Sequence, residues 1–234
     1  MADLSAFPIT QRWPARHPDR IQLYSFATPN GVKASIALEE LGLAYEAHLV
    51  SITDGDQKTP EFLSLNPNGK IPAIIDPDGL DGRPLALWES GAILAYLAEK
   101  AGRLMPADPA GRLECLQWVF FQVGGVGPMF GQFGFFHKFA GKEIADRRPF
   151  ERYRDESRRL LGVLDRQLAT REWLLGDGYS IADIATFPWV RALKVFYGAE
   201  DILGMNELEN LSRWLDRTLA RPAVKKGLEI PARK

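Results

Sequence analysis

The chain has 234 residues, 46% hydrophobic, 25% charged and 11% aromatic, the make-up of a soluble globular protein with room for one large domain or two modest ones. Its 29 Lys and Arg against 30 Asp and Glu leave a formal net charge of -1, which argues against a general nucleic-acid or polyanion binder. The single cysteine, Cys115, excludes an intramolecular disulfide and a multi-cysteine zinc site, and the histidines His17, His48 and His137 are too scattered to suggest a metal centre.

Residues 1–19 hold Pro8, Pro14 and Pro18 with Phe7 and Trp13 among them, which predicts an irregular arm whose aromatic side chains pack against the body. No basic stretch followed by an apolar run marks a secretory leader, and no apolar run nears the roughly 20 residues that span a bilayer, so a cytoplasmic setting without membrane contact is expected. Residues 21–26 read as a short apolar strand, and Thr28-Pro29-Asn30-Gly31 as a turn into a helix over 32–41 closed by Gly42. Residues 45–52 give a second strand, so the unit is βαβ with a parallel pair. A polar loop over 53–58, a short helix over 60–65 and the turn Asn66-Pro67-Asn68-Gly69 lead to a third strand over 71–75 with Pro72 inside it. A hairpin-like turn over 76–83, a fourth strand over 85–88 and a helix opened by Glu89-Ser90 and ended by Gly102 complete this half.

Pro106 and Pro109 mark a linker over 103–110. Beyond it strand patterns are scarce, and helices are predicted at about 110–123, 149–169, 181–197 and 207–219. The expected organisation is an arm (1–19), an α/β domain (20–102), the linker and an all-helical domain (111–234).

This order resembles a glutathione S-transferase: a thioredoxin-like α/β domain with a strand entered through Ile71-Pro72 and Glu89-Ser90 on the helix after the hairpin, then an all-α domain whose Ser180-Ile181-Ala182-Asp183 resembles the family's core-helix cap. More narrowly, Thr28-Pro29-Asn30-Gly31, Asp56-Gln57, Glu89-Ser90-Gly91-Ala92-Ile93-Leu94 and Gln122-Val123-Gly124-Gly125-Val126-Gly127-Pro128-Met129 resemble the bacterial Nu class, associated with glutathione-dependent disulfide reduction. The resemblance covers about residues 20–225. It implies glutathione or glutathione disulfide as ligand, a small-molecule disulfide or electrophile as second substrate, no metal, and a homodimer.

Glutathione has a zwitterionic γ-glutamyl end, a central thiol and a glycyl carboxylate. The Ser90 hydroxyl and the open N–H groups of its helix suit the α-carboxylate, and Glu89 suits the α-ammonium, although Ser and Glu are also common at plain helix starts. By resemblance, a cis Ile71–Pro72 bond would present the Ile71 backbone to the cysteinyl residue, as in strand addition. Lys70 and Gln57 would meet the glycyl end, and Arg152 a carboxylate; each residue type is also usual on a solvated surface. Thr28 and Asn30 are the implied catalytic pair, supplying hydroxyl and N–H donors to the sulfur, since the thiolate is the nucleophile and no cysteine occupies this turn. Both also suit a plain β-to-α turn, and Tyr24 or Ser25 could compete, on opposite strand faces. Gly124 to Gly131 with Met129, Phe130 and Phe133 read as a pocket wall or as a kinked core helix, while His137 and Cys115 are expected to be structural. Two other readings stay open: a transferase conjugating electrophiles, and a non-catalytic protein that binds glutathione or a partner.

Overall fold

Apolar side chains at 21, 23 and 24 make the first strand, β1 (Ile21–Ser25), and every residue of it is buried because both faces of the sheet are covered. The structure, a computed structural model, describes residues 4–79, 82–176 and 178–232. After the Thr28 turn comes α2 (Gly31–Leu41), preceded in the arm by a short helix, α1 (Ile9–Arg12). Gly42 ends α2 in the left-handed conformation (φ 68°), which glycine adopts at little cost. Then follow β2 (Tyr45–Leu49), a 3-10 turn (Asp56–Lys58), α3 (Pro60–Leu65), β3 (Ala73–Asp76), β4 (Leu85–Trp88) and α4 (Ser90–Ala101).

The sheet order is β2-β1-β3-β4, with β1 and β2 parallel and β3 and β4 antiparallel to their neighbours. Helices α2 and α4 pack on one face. The other face carries a core of Tyr24, Phe62, Leu65, Ala73 and Ile75, joined by Leu4 and Ile9 of the arm, with Phe7 and Trp13 against it. The arm packs as predicted, but it is not wholly irregular: Pro8 stands at the N-cap of α1, where its missing N–H costs nothing. The third strand starts at Ala73 rather than Ile71, since Pro72 has no N–H for a ladder. Leu80 and Asp81 of the expected hairpin turn lie outside the described residues.

The rest is helical: α5 (Pro109–Phe121), a π segment (Gln122–Val126), α6 (Gly127–Lys138), α7 (Arg148–Gln167), α8 (Ile181–Val195), the short α9 (Glu200–Leu203), α10 (Glu209–Ala220) and α11 (Pro222–Gly227). The capping box at Ser180 is present: the Asp183 carboxylate accepts from the N–H groups of Ser180 and Leu174 and from Trp214 Nε1, at 2.8 to 3.0 Å. The chain divides into two compact units, Met1–Ala101 with Pro222–Lys234, and Gly102–Arg221. The predicted boundary put the last stretch with the helical domain. Its helix α11 instead packs on α2, where the Gly227 carbonyl accepts from Ser35 Oγ at 2.6 Å. Asp108 caps α5 and Pro109 fills its first position, so the linker is shorter than expected.

Candidate functional site

Strand register gathers the predicted residues of the first unit at one end of the sheet. Tyr24 pairs with Ala73 and Ala73 with Trp88 in antiparallel ladders. The exit of β1 toward Thr28, the entry to β3 through Ile71-Pro72 and the exit of β4 into Glu89-Ser90 therefore share that end. The loop after β2 leaves from it too, as the Val50 N–H donates to the Ser25 carbonyl at 2.9 Å.

Thr28 is half-buried in the turn two residues before Asn30, the N-cap of α2: its Oγ1 accepts the Gly31 N–H at 3.2 Å and its carbonyl accepts the Val32 N–H at 3.0 Å. The Thr28 oxygen thus uses one donor of the helix start, while its hydroxyl keeps its own proton to donate. Asn30 is half-buried, and its carbonyl accepts from the Lys33 N–H at 3.4 Å. Sequence reading missed the reason for Gly31: a Cβ there would lie 1.9 Å from the Phe26 carbonyl oxygen and 2.7 Å from Ser25 Oγ, so only glycine lets α2 start this close to β1.

Neither first-strand competitor is placed for sulfur chemistry. Tyr24 is fully buried in the core under the arm, stacked on His48 at 4.7 Å, and burial pushes its phenol far above its ordinary pKa. Ser25 is buried on the opposite face against Gly31.

The Ile71–Pro72 bond is cis. Ile71 is partly exposed and precedes the β3 ladder, so its backbone is not committed to the sheet. Lys70 is exposed. Gln57 is half-buried with its Nε2 turned toward the Ile52 carbonyl at 3.5 Å, and its loop is held by Asp56, which accepts from the Ser51 N–H at 3.0 Å and from Arg12 at 2.5 Å.

Glu89 is exposed with φ 73°, a left-handed conformation that L side chains rarely adopt, and its carbonyl accepts the Ile93 N–H at 2.9 Å as the cap of α4. The first-turn N–H groups of Ser90, Gly91 and Ala92 have no acceptor within the helix and point out of its start. Ser90 is buried, and beneath it lies Lys33, 1% exposed, with Nζ 3.2 Å from Ser90 Oγ. Burial pulls the Lys33 pKa down to about 7 against the opposing pull of Glu89. Lys33 was also missed, though its spacing of three and four from Ile36 and Ala37 puts it on the buried face of α2.

Chemically, this end of the sheet offers an anion-binding helix start beside a free carboxylate, an uncommitted strand entry, and a hydroxyl at a second helix start. It suits an extended peptide with a zwitterionic end. Among the described residues no group of three or more His, Cys, Asp or Glu side chains could hold a metal ion, and no helix is long and apolar enough to cross a membrane.

In the helical unit, Arg152 is exposed on the first turns of α7. The glycine-rich stretch divides: a Cβ at Gly124 would meet nothing within 4 Å and one at Gly125 only Leu160 at 3.8 Å, whereas Gly127, Gly131 and Gly134 face aromatic side chains. The helix runs through it as a π segment, with the Gly127 N–H bonded to the Gln122 carbonyl five residues back. Gly127 and Gly131 admit Trp189, whose ring atoms a Cβ would approach to 3.3 Å, and Gly134 admits Tyr197 at 2.3 Å. Phe130 and Phe133 are fully buried, and His137 stacks on Phe133 at 5.0 Å. Gly127, Gly131 and Gly134 serve helix packing. Cys115 is fully buried, and burial pushes its thiol up to about 11, far from a reactive thiolate.

Comparison with known proteins gives the family. Residues 28–100 match the family model for the N-terminal domain of glutathione S-transferase, and residues 148–217 match that for its C-terminal domain. The chain belongs to the glutathione S-transferase family. Among curated relatives of this transferase, the disulfide-bond oxidoreductase YfcG of Escherichia coli (strain K12) is 44% identical, over 89% of this chain and 94% of its own. Among solved structures, a glutathione transferase from Burkholderia graminis with two glutathione molecules bound per subunit is 65% identical, with TM-score 0.98 over 100% of this chain and 98% of that one. One from Pseudomonas putida with one glutathione disulfide bound per subunit is 62% identical, with TM-score 0.97 over 98% of this chain and 100% of that one.

Proposed function

We propose that this transferase binds glutathione at the Thr28, Ile71-Pro72 and Glu89-Ser90 end of the sheet and uses it to reduce disulfides. The observation that carries the reading is the convergence of these three segments by strand register, with a hydroxyl and no thiol at the α2 start. Glu89 takes the α-ammonium, Ser90 and the α4 N–H groups the α-carboxylate, the Ile71 backbone the cysteinyl residue, and Lys70 and Gln57 the glycyl end. Thr28 and Asn30 stabilise the sulfur as thiolate. That thiolate attacks one disulfide sulfur and the other leaves as a thiolate, giving a mixed disulfide. A second glutathione thiolate then attacks the mixed disulfide, forming glutathione disulfide and releasing the second substrate thiol. The relatives with two glutathiones or one glutathione disulfide bound support this stoichiometry.

The test compares reduction of a small dialkyl disulfide with conjugation of an aryl halide by one enzyme batch. Disulfide reduction should dominate and survive Cys115→Ser; fast conjugation with no reduction would leave a general conjugating transferase. We further infer a homodimer, supported by Leu113 and Phe120, 68% and 67% exposed and seven residues apart on one face of α5. Light scattering at the mass of one chain would overturn it. The cytoplasm, where glutathione is held reduced, is the matching compartment.

A further inference from the structure

We propose that Lys33 is the positioning residue of the γ-glutamyl site: its buried ammonium fixes the Ser90 hydroxyl as an outward donor, and ligand binding draws a proton onto it. This rests on the assignment of Glu89 and Ser90 to the γ-glutamyl end.

An ammonium has three donors and no acceptor. With Nζ 3.2 Å from Ser90 Oγ, the charged lysine makes the Ser90 oxygen an acceptor, so the hydroxyl proton turns away from Nζ and is left to donate to a ligand. A neutral amine can accept, and would let Ser90 turn its proton inward. The protonation state of Lys33 therefore sets whether Ser90 offers a donor to a carboxylate. The ammonium also adds positive charge beneath a site that already has the open N–H groups of a helix start.

Among the described residues, the elements packed against α2 bring the following groups toward it. Helix α4 presents Ser90 and Glu89, the latter favouring the charged form. Strand β1 directs Tyr24 to the far face and Ser25 to Gly31. Helix α11 carries Lys225 and Lys226, both exposed, and Lys226 pairs with Glu39 at 2.9 Å. Burial, opposed by Glu89, leaves the amine near neutrality, with a pKa of about 7. A carboxylate arriving above it favours the ammonium, so binding and proton uptake are coupled.

The experiment is calorimetric titration with S-methylglutathione, which has no thiol to titrate, in two buffers of different ionisation enthalpy near pH 7. The wild-type protein should take up protons on binding and bind more weakly as pH rises. Lys33→Met should show no uptake, a flat pH profile and roughly tenfold weaker binding, the scale of one charge-assisted hydrogen bond. Absence of uptake in the wild type, or uptake retained in Lys33→Met, overturns the proposal; the wild-type measurement decides even where the variant fails to fold. Ser90→Ala separates the two assignments. Unchanged affinity there overturns the γ-glutamyl site itself, whereas weakened binding with no proton uptake by the wild type overturns Lys33 alone.

Discussion

Thr28 does two jobs with one oxygen. It accepts the Gly31 N–H at the start of α2 and keeps a proton for the ligand sulfur. Removing the hydroxyl therefore takes away the acceptor of a turn hydrogen bond, about 1 kcal/mol, together with a donor to a charged sulfur, about 1.5–3 kcal/mol. Thr28→Ala should lower kcat for disulfide reduction roughly 10- to 100-fold with a smaller change in KM, because the donor matters most to the developing charge. Thr28→Ser should retain both functions; steady-state kinetics on the pair, beside thermal melts, separate the turn hydrogen bond from the chemistry. Glu89 shows the same economy of position. Its left-handed backbone (φ 73°) turns the chain from β4 into α4 while leaving its carboxylate exposed beside Ser90. Residue types alone left Thr28, Tyr24 and Ser25 as rivals for the sulfur. Packing removed Tyr24, since the arm covers the strand face that carries it.

At the scale of elements, β2 shows why polar residues can be core. Glu46 and His48 would read as solvent-facing, yet both are buried because the arm crosses this face of the sheet. Glu46 accepts from the N–H groups of Arg16 and His17 at 3.2 and 2.8 Å and from Arg16 Nε at 3.2 Å, while His48 Nε2 meets Gln22 Oε1 at 2.8 Å and Trp13 Nε1 donates to the Leu49 carbonyl at 3.0 Å. Burial raises the Glu46 carboxyl, but these donors outweigh it and hold its pKa below the ordinary 4.5. A carboxyl with a depressed folded pKa adds stability that is complete above its unfolded pKa and is lost as pH falls through the folded one. Glu46→Gln should therefore cost about 1–2 kcal/mol at neutral pH, and the difference from wild type should vanish once pH drops well below 4.5. Paired thermal melts over a pH series check this; a constant difference would show that shape rather than charge matters. The π segment between α5 and α6 belongs to the same scale. The glycine run looks like a break in the sequence, yet the helix continues through it, and just beyond it Gly127, Gly131 and Gly134 of α6 seat Trp189 and Tyr197.

At the scale of the whole molecule, the chain leaves the first unit after Ala101 and returns to it at Pro222. The return is closed by Gly227, where a Cβ would lie 2.7 Å from the Ile36 backbone. Gly227→Ala should destabilise the first unit by about 1–3 kcal/mol, the range for forcing an extra methyl into a packed site, and calorimetric unfolding would measure it. An unchanged melting temperature would mean that α11 is only loosely seated on α2. The sequence by itself determined the family, the α/β-then-helical order and the residue types at Thr28, Ile71-Pro72 and Glu89-Ser90, because these are local: periodicity, turn chemistry and short motifs are written in consecutive residues. Tertiary structure alone decided that Tyr24 is core, that Lys33 lies buried under Ser90, that Gly31 is a steric necessity and that Pro222–Lys234 belongs with the first unit. Each of these depends on what a distant segment brings against the residue, and burial, not residue type, sets the charge and reach of the group beneath.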